Sequence, residues 1–470
     1  MEERFAARLQ EMTDQAQVPE EMLKGMLPRL TRFMEPFAAL LTEAGQREHL
    51  TEYVQGLLSG LKRKTGESIA YLHDLGRQSI QKFIGLAPWD HQPLLLELSR
   101  QVGRAIGEPD GVIVFDPSGF KKKGDSSVGV GRQWCGRTGK VENCQIGIYM
   151  AYVSRHEHAL VNFRLYLPGD WTSDRKRCRK AGVPKTIKFQ TRHELALEML
   201  DEQGSELPHR WVAGDDEMGR SAAFRRELRE RKELYVLDVP WKTKLRDLDA
   251  GPPEDRGRGG QRKRPFERAE QWREALPESA WTKVTVRDAE KGPLEVEAVQ
   301  RRVLPPRAKG AEEVLLVTRE LQANGTYKHD YHLSNAPPGT PLEELVRVST
   351  AEHRIEECLE RTKGEAGLAH YQVRTWDAWH RHQTLSLIAA WFLVEETRRG
   401  KNPDPRADSS ARGRHAGQPL GPPAQGEHSR SHHQADQPLA RSQRTSTTLL
   451  LPFSQPSAAL EEPAQALMIQ

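Results

Sequence analysis

The stretch GVIVFDPSGFKKKG (111–124) sets the reading of this chain: four apolar residues of strand character run into Asp116, and loop sequence with a Gly follows. The same grammar returns in WVAGDDEMGR (211–220), where the run ends on Asp215. A third acid, Glu356, sits in the helical stretch HRIEECLERTK (353–363). Acids at strand ends point to one rim of a sheet. A distant helical acid can join them only if the intervening elements fold it back.

Those elements are present. Between the two aspartates lie strand candidates CQIGIYMAYV (144–153) and ALVNFRLYLP (159–168), then the helical TRHELALEMLDEQG (191–204). After Asp215 come a helix, SAAFRRELRERK (221–232), and a strand, ELYVLDVP (233–240). Three strands, helix, strand, helix, strand is the order of an RNase H-like α/β fold, a mixed sheet flanked by helices. Carboxylates brought within a few Å repel, and one takes up a proton unless a cation neutralises them. Hard oxygen donors select Mg²⁺ or Mn²⁺. Two such ions roughly 4 Å apart activate a water or a 3′-hydroxyl and stabilise the leaving oxygen.

At 470 residues with a net charge of +4, the chain is long enough for two or three domains. Its cations are gathered in KKK (121–123), RKRCRK (175–180) and RGRGGQRKR (256–264). Each alone reads as a solvated loop, but several around an acidic centre fit a polyanionic partner, double-stranded DNA. The four cysteines, Cys135, Cys144, Cys178 and Cys358, show no zinc spacing and read as reduced thiols of a cytoplasmic protein. The longest apolar run, LSLIAAWFLV (385–394), is too short to cross a bilayer, so no membrane partner is expected.

Five regions follow along the chain. Residues 1–108 read as helical, with Leu50, Val54, Leu57, Leu58 and Leu61 on one face, Thr65 or Ser68 capping the next helix, and a DNA-end-binding role weighed against a plain helical bundle. Residues 109–245 carry the first part of the catalytic sheet. Residues 246–341 hold a Pro, Gly and Arg-rich linker and an antiparallel β insertion with a turn at ANGT (323–326). Residues 342–399 supply the helices bearing the third acid. Residues 400–470, rich in Pro, Ser, Gln, His and Arg, read as a disordered tail, and so abrupt a shift resembles out-of-frame translation that has cost a C-terminal helical segment.

In FDPSGFKKKG, WCGRTGKVENCQIG, WVAGDDEMGR and IEECLERTKGEAGLAHYQVRTWDAWHRH, taken in this order, the chain resembles the DDE transposases of bacterial insertion sequences that carry a β insertion before the Glu, over about residues 50–398. The resemblance implies Asp116, Asp215 and Glu356 as catalytic residues and ligands of two Mg²⁺ or Mn²⁺ ions. Asp215 is preferred over the rival Asp216 because Gly219 falls four residues later, and Glu356 over Glu357 because six residues separate it from Lys363. It also implies cleavage at terminal inverted repeats, joining of the 3′-hydroxyl ends to target DNA, a synaptic homodimer and a place on the bacterial nucleoid. Lys363, Arg354, Lys121, Lys122 and Lys123 are the expected DNA contacts, with His353 near them. Trp241, Trp281 and Trp376 could stack on a flipped base, but packing is the commoner role for each. Many of these transposases precede the Glu with Tyr and Arg, where this chain has Ser349 and Glu352. That departure bears on the handling of the DNA end and on activity itself. Two rivals remain: a nuclease of the same fold without strand transfer, and an inactive remnant that only binds DNA.

Overall fold

In the computed structural model, residues 25–251, 264–289, 292–306 and 311–401 are described. The expected tail, most of the Arg-rich linker and residues 1–24 lie outside them. The strands are β1 (Val112–Lys121), β2 (Gly131–Cys135), β3 (Lys140–Val153), β4 (His158–Tyr166), β5 (Trp211–Gly214), β6 (Leu234–Asp238), β7 (Lys244–Asp247), β8 (Glu267–Arg268), β9 (Thr282–Ala289), β10 (Gly292–Leu304), β11 (Glu313–Leu321) and β12 (Tyr327–Ser334). They form one sheet, ordered β2-β3-β1-β5-β6-β12-β11-β10-β7-β8, with β4 on β3 and β9 on β10.

β1 pairs antiparallel with β3 and parallel with β5, and β5 pairs parallel with β6. Val112 to Phe115, Trp211 to Ala213 and Tyr235 to Leu237 are all buried, as central strands covered on both faces must be. The helix Arg192–Gln203, started by a Thr191/Glu194 capping box, and the helix Ala222–Glu230 make the two crossovers. This is the mixed α/β sheet expected from the element order. The β insertion is not a separate body, because β12 pairs antiparallel with β6 and extends the same sheet. Its ANGT turn forms as read: Gly325 takes φ 80° and the Asn324 side chain accepts from the Thr326 amide at 3.0 Å.

Two boundaries differ from the sequence reading. β1 does not end at Asp116 but runs on to Lys121, because β3 keeps pairing after β5 has stopped at Phe115–Gly214. Asp116 thus lies at the first position beyond the parallel ladder. The helical stretch 342–368 divides into Leu342–Ser349 and Ala351–Glu365, with Thr350 between them.

The N-terminal helices Met26–Ala38, Ala44–Leu58, Gly66–Leu72, Arg77–Gly85 and Gln92–Ile106 share one apolar core with the sheet and the long helix Trp376–Lys401. Leu50, Val54 and Leu57 are fully buried, and Thr65 caps its helix by accepting from the Ser68 amide. Tyr53 Oη lies 2.9 Å from His382 Nδ1, and Arg29 grips Glu396 at 2.8 and 2.6 Å. His380 and His382 are buried in that helix, and burial pushes both imidazoles below their usual range. They are core residues. Among the described residues no helix is long and apolar enough to cross a membrane, and all four cysteines are free and buried.

Candidate active site

Three adjacent parallel strands bring acids to the level where their shared ladder stops: Asp116 within β1 just past its last pairing with β5, Asp215 directly after β5, and Asp238 as the last residue of β6. Such a rim at the carboxyl ends of parallel strands is where open α/β sheets place their ligands. Asp215 also caps the short helix Asp216–Gly219, its Oδ1 accepting from the Met218 amide at 3.1 Å. Gly219 is needed where it stands, because a Cβ there would lie 1.9 Å from the Asp238 carbonyl oxygen. The glycine lets the loop after Asp215 close against the end of β6.

The helix Ala351–Glu365 lies across β1 and presents two glutamates one turn apart, Glu352 and Glu356. The Glu352 side chain is 16% exposed and the Glu356 side chain 66%, so Glu352 is the deeper of the two. Lys363, two turns on from Glu356, donates from Nζ to Ser118 Oγ at 2.6 Å.

The charges of these groups are mutually unfavourable. Burial, then the carboxylates of Asp215, Glu352 and Glu356, push the Asp116 carboxyl well above the usual range, against the pull of Lys363. Burial raises Asp215 to about 7, with the Met218 amide opposing and Glu217, Asp216 and Asp238 adding. Glu352 rises to about 8 through burial and the charges of Asp238, Glu356 and Asp215, with His353 opposing. Glu356 alone is held below its usual range, by His353, whose Nδ1 is 3.8 Å away. Partly buried carboxyls that lift one another in this way suit a bound cation, and a set of oxygens alone suits a hard one. Among the described residues no three acid, His or Cys side chains already stand in ligating geometry.

Asp216 behaves differently from its neighbour: its side chain is 51% exposed and engages Arg220 at 2.5 Å. The predicted DNA contacts divide. Lys123 is exposed, and Lys121 is an exposed strand residue 3.3 Å from Glu142. Lys122 is held over the Tyr371 ring, 3.5 Å from its centroid, and burial lowers its amine to about 8. Arg354 pairs with Glu357 at 2.8 Å. Of the tryptophans, Trp241 is exposed while Trp281 and Trp376 are partly buried.

Sequence reading missed two acids. Asp238 ends LYVLD with the same apolar-run-then-acid pattern as VIVFD and WVAGD, so its signal was present. Its carboxylate meets His332 Nδ1 at 2.5 Å, and although burial opposes the charged ring, Asp238 raises the His332 pKa. Glu352 stood out only as a departure from a motif; its helical phase, one turn before Glu356, is what carries it to the acids.

Residues 36–293 match the family described as DDE superfamily endonuclease, a span that includes Asp116, Asp215 and Asp238 and stops before the glutamate helix. A 94-residue segment is 39% identical to a probable transposase for insertion sequence element IS701 from Microchaete diplosiphon, covering 19% of this chain. The match spans 23% of that relative's own length.

Proposed function

The chain belongs to the DDE superfamily endonucleases, and from that membership we propose that it is a DNA transposase acting on the terminal inverted repeats of its own element. The observation that carries this reading is the placing of Asp116 and Asp215 side by side where the parallel ladder of β1 and β5 stops, beneath the helix of Glu356, in a site where burial and then neighbouring carboxylates raise the pKa of both aspartates.

In this reading Asp116, Asp215 and Glu356 hold two Mg²⁺ or Mn²⁺ ions. The bound ions would activate the attacking water or 3′-hydroxyl and stabilise the leaving oxygen. Asp215 is the second acid because it faces the cluster, whereas Asp216 is spent on Arg220. Lys363, anchored to Ser118 beside Asp116, offers a point charge to the phosphate being cut. Glu352 and Asp238 surround the pair and strengthen the demand for a cation. Two ends must be held together for joining, so the working form is a synaptic homodimer on the nucleoid.

The test is cleavage of DNA carrying the sequences that flank the gene, with Mg²⁺ or Mn²⁺, followed by a strand-transfer assay. End-specific nicking and joining support the reading; nicking without end preference or joining would leave a hydrolytic nuclease. A second reading, a DNA-binding remnant, is favoured by Glu352, an acid where the transposase resemblance implies Arg. Binding without any metal-dependent nicking would select it.

A further inference from the structure

Two of the basic runs, 121–123 and 175–180, stand some fifty residues apart in sequence but meet in the fold. The loop between β1 and β2 is pinned from both sides: the Asn143 side chain donates to the carbonyls of Lys122 and Gly124, each at 2.9 Å, and the Val128 amide donates to the Arg374 carbonyl. Onto this loop docks the helix Arg175–Lys180. Arg177 donates to the Asp125 carbonyl at 2.9 Å and the Val130 carbonyl at 3.3 Å while lying 3.9 Å over Trp171, whose indole N–H also reaches the Val130 carbonyl. Arg177 is thus consumed as a strut. Its helix neighbours are left pointing outward.

Lys123, Arg132, Arg175, Lys176, Arg179 and Lys180 are all exposed, and among the described residues none has a carboxylate within ion-pair distance. Of the nearby acids, Glu142 lies between Lys121 and Lys140 at 3.3 and 3.2 Å, Asp174 caps the helix by accepting from the Arg177 amide, and the exposed Asp125 and Asp170 form no ion pair with these cations. Beside these cations the edge strand β2 exposes Trp134, at 55%, opposite Val141 on β3. An unshielded cluster of cations interleaved with an open indole is complementary to a sugar-phosphate backbone.

From these contacts we infer that the β2–β3 edge and the helix Arg175–Lys180 form one duplex-DNA-binding face, distinct from the acid rim and reached from it along β1. The inference rests on the DNA reading above and assigns it a surface. β1 runs five residues from Asp116 to Lys121, roughly 17 Å of strand. Lys and Arg here set affinity and placement, with no reading of base sequence.

The experiment measures binding of a random-sequence DNA duplex by fluorescence anisotropy across a salt series, for the full chain and for a triple variant, Arg132→Ala with Lys176→Ala and Arg179→Ala. Each lost phosphate contact should flatten the log–log salt slope by about 0.9, so the triple variant should lose between two and three units and bind more than about tenfold more weakly. Arg132→Lys with Arg179→Lys should keep the slope, and Trp134→Ala should weaken binding without changing it. Polyglutamate should not compete. An unchanged slope in a folded triple variant overturns the assignment of this face while leaving the transposase reading intact; equal competition by polyglutamate overturns the choice of DNA as its occupant. Absence of DNA binding by the unaltered chain would overturn both.

Discussion

Glu313 and Asp116 are acids of the same sheet, one buried at the start of β11 and one partly buried in β1, and their surroundings are opposite. The Glu313 side chain is fully buried and takes Arg225 Nε at 3.0 Å and the Tyr235 hydroxyl at 2.5 Å on a single oxygen, with Arg229 as a further partner. Arg225 reaches on to the Gly219 carbonyl, so the pair ties the insertion to the loop behind Asp215. Asp116 has one cation, Lys363, against three carboxylates. A buried charge is tolerated when the protein itself supplies its partners, as at Glu313. At Asp116 the protein withholds them, and the deficit is the signature of a site awaiting a partner from outside.

The comparison breaks most sharply on activity. Asp116→Asn, Asp215→Asn and Glu356→Gln are each expected to abolish cleavage while leaving duplex binding largely intact, read by a nicking assay beside anisotropy. Full cleavage by Asp215→Asn would move the role to Asp216. Glu313→Ala should have the reverse character, costing about 3–5 kcal/mol of stability in urea because it strands two arginines.

A smaller effect follows from pH. Asp215 titrates near 7 and Glu352 near 8 in the folded chain, both above the unfolded carboxylate values near 4. Between those limits the unfolded state binds fewer protons, so their contribution to stability is complete below about pH 4 and is lost as pH rises toward 8. In EDTA the thermal midpoint should fall over that range, Mg²⁺ should restore it at pH 8, and Asp215→Asn should flatten the fall. Gly219→Ala should act more locally, forcing the loop away from the Asp238 carbonyl and reducing cleavage more than it reduces the thermal midpoint.

Much of this was legible in the chain itself. The parallel core announced itself because a strand buried on both faces must be apolar throughout, as 112–115 and 211–213 are. The Thr65 cap and the Asn324-Gly325 turn were legible because those residues act on backbone within three positions. What local sequence does not carry is which acids share a rim. That depends on where β5 stops along β1 and on the phase of a helix more than a hundred residues away. For this reason Asp238 looked like any strand end and Glu352 like a lost arginine. That Lys122, in the loop after β1, is held over the Tyr371 ring was out of reach for the same reason, since Tyr371 is remote in sequence.

The central claim is that Asp116, Asp215 and Glu356 share divalent ions, and calorimetric titration of Mn²⁺ into the metal-free chain at pH 8 tests it most directly. The account predicts saturable binding that approaches two ions per chain, is lost in Asp116→Asn and persists in Glu313→Gln. Binding of equal strength and stoichiometry in Asp116→Asn, or none in the unaltered chain, would contradict it.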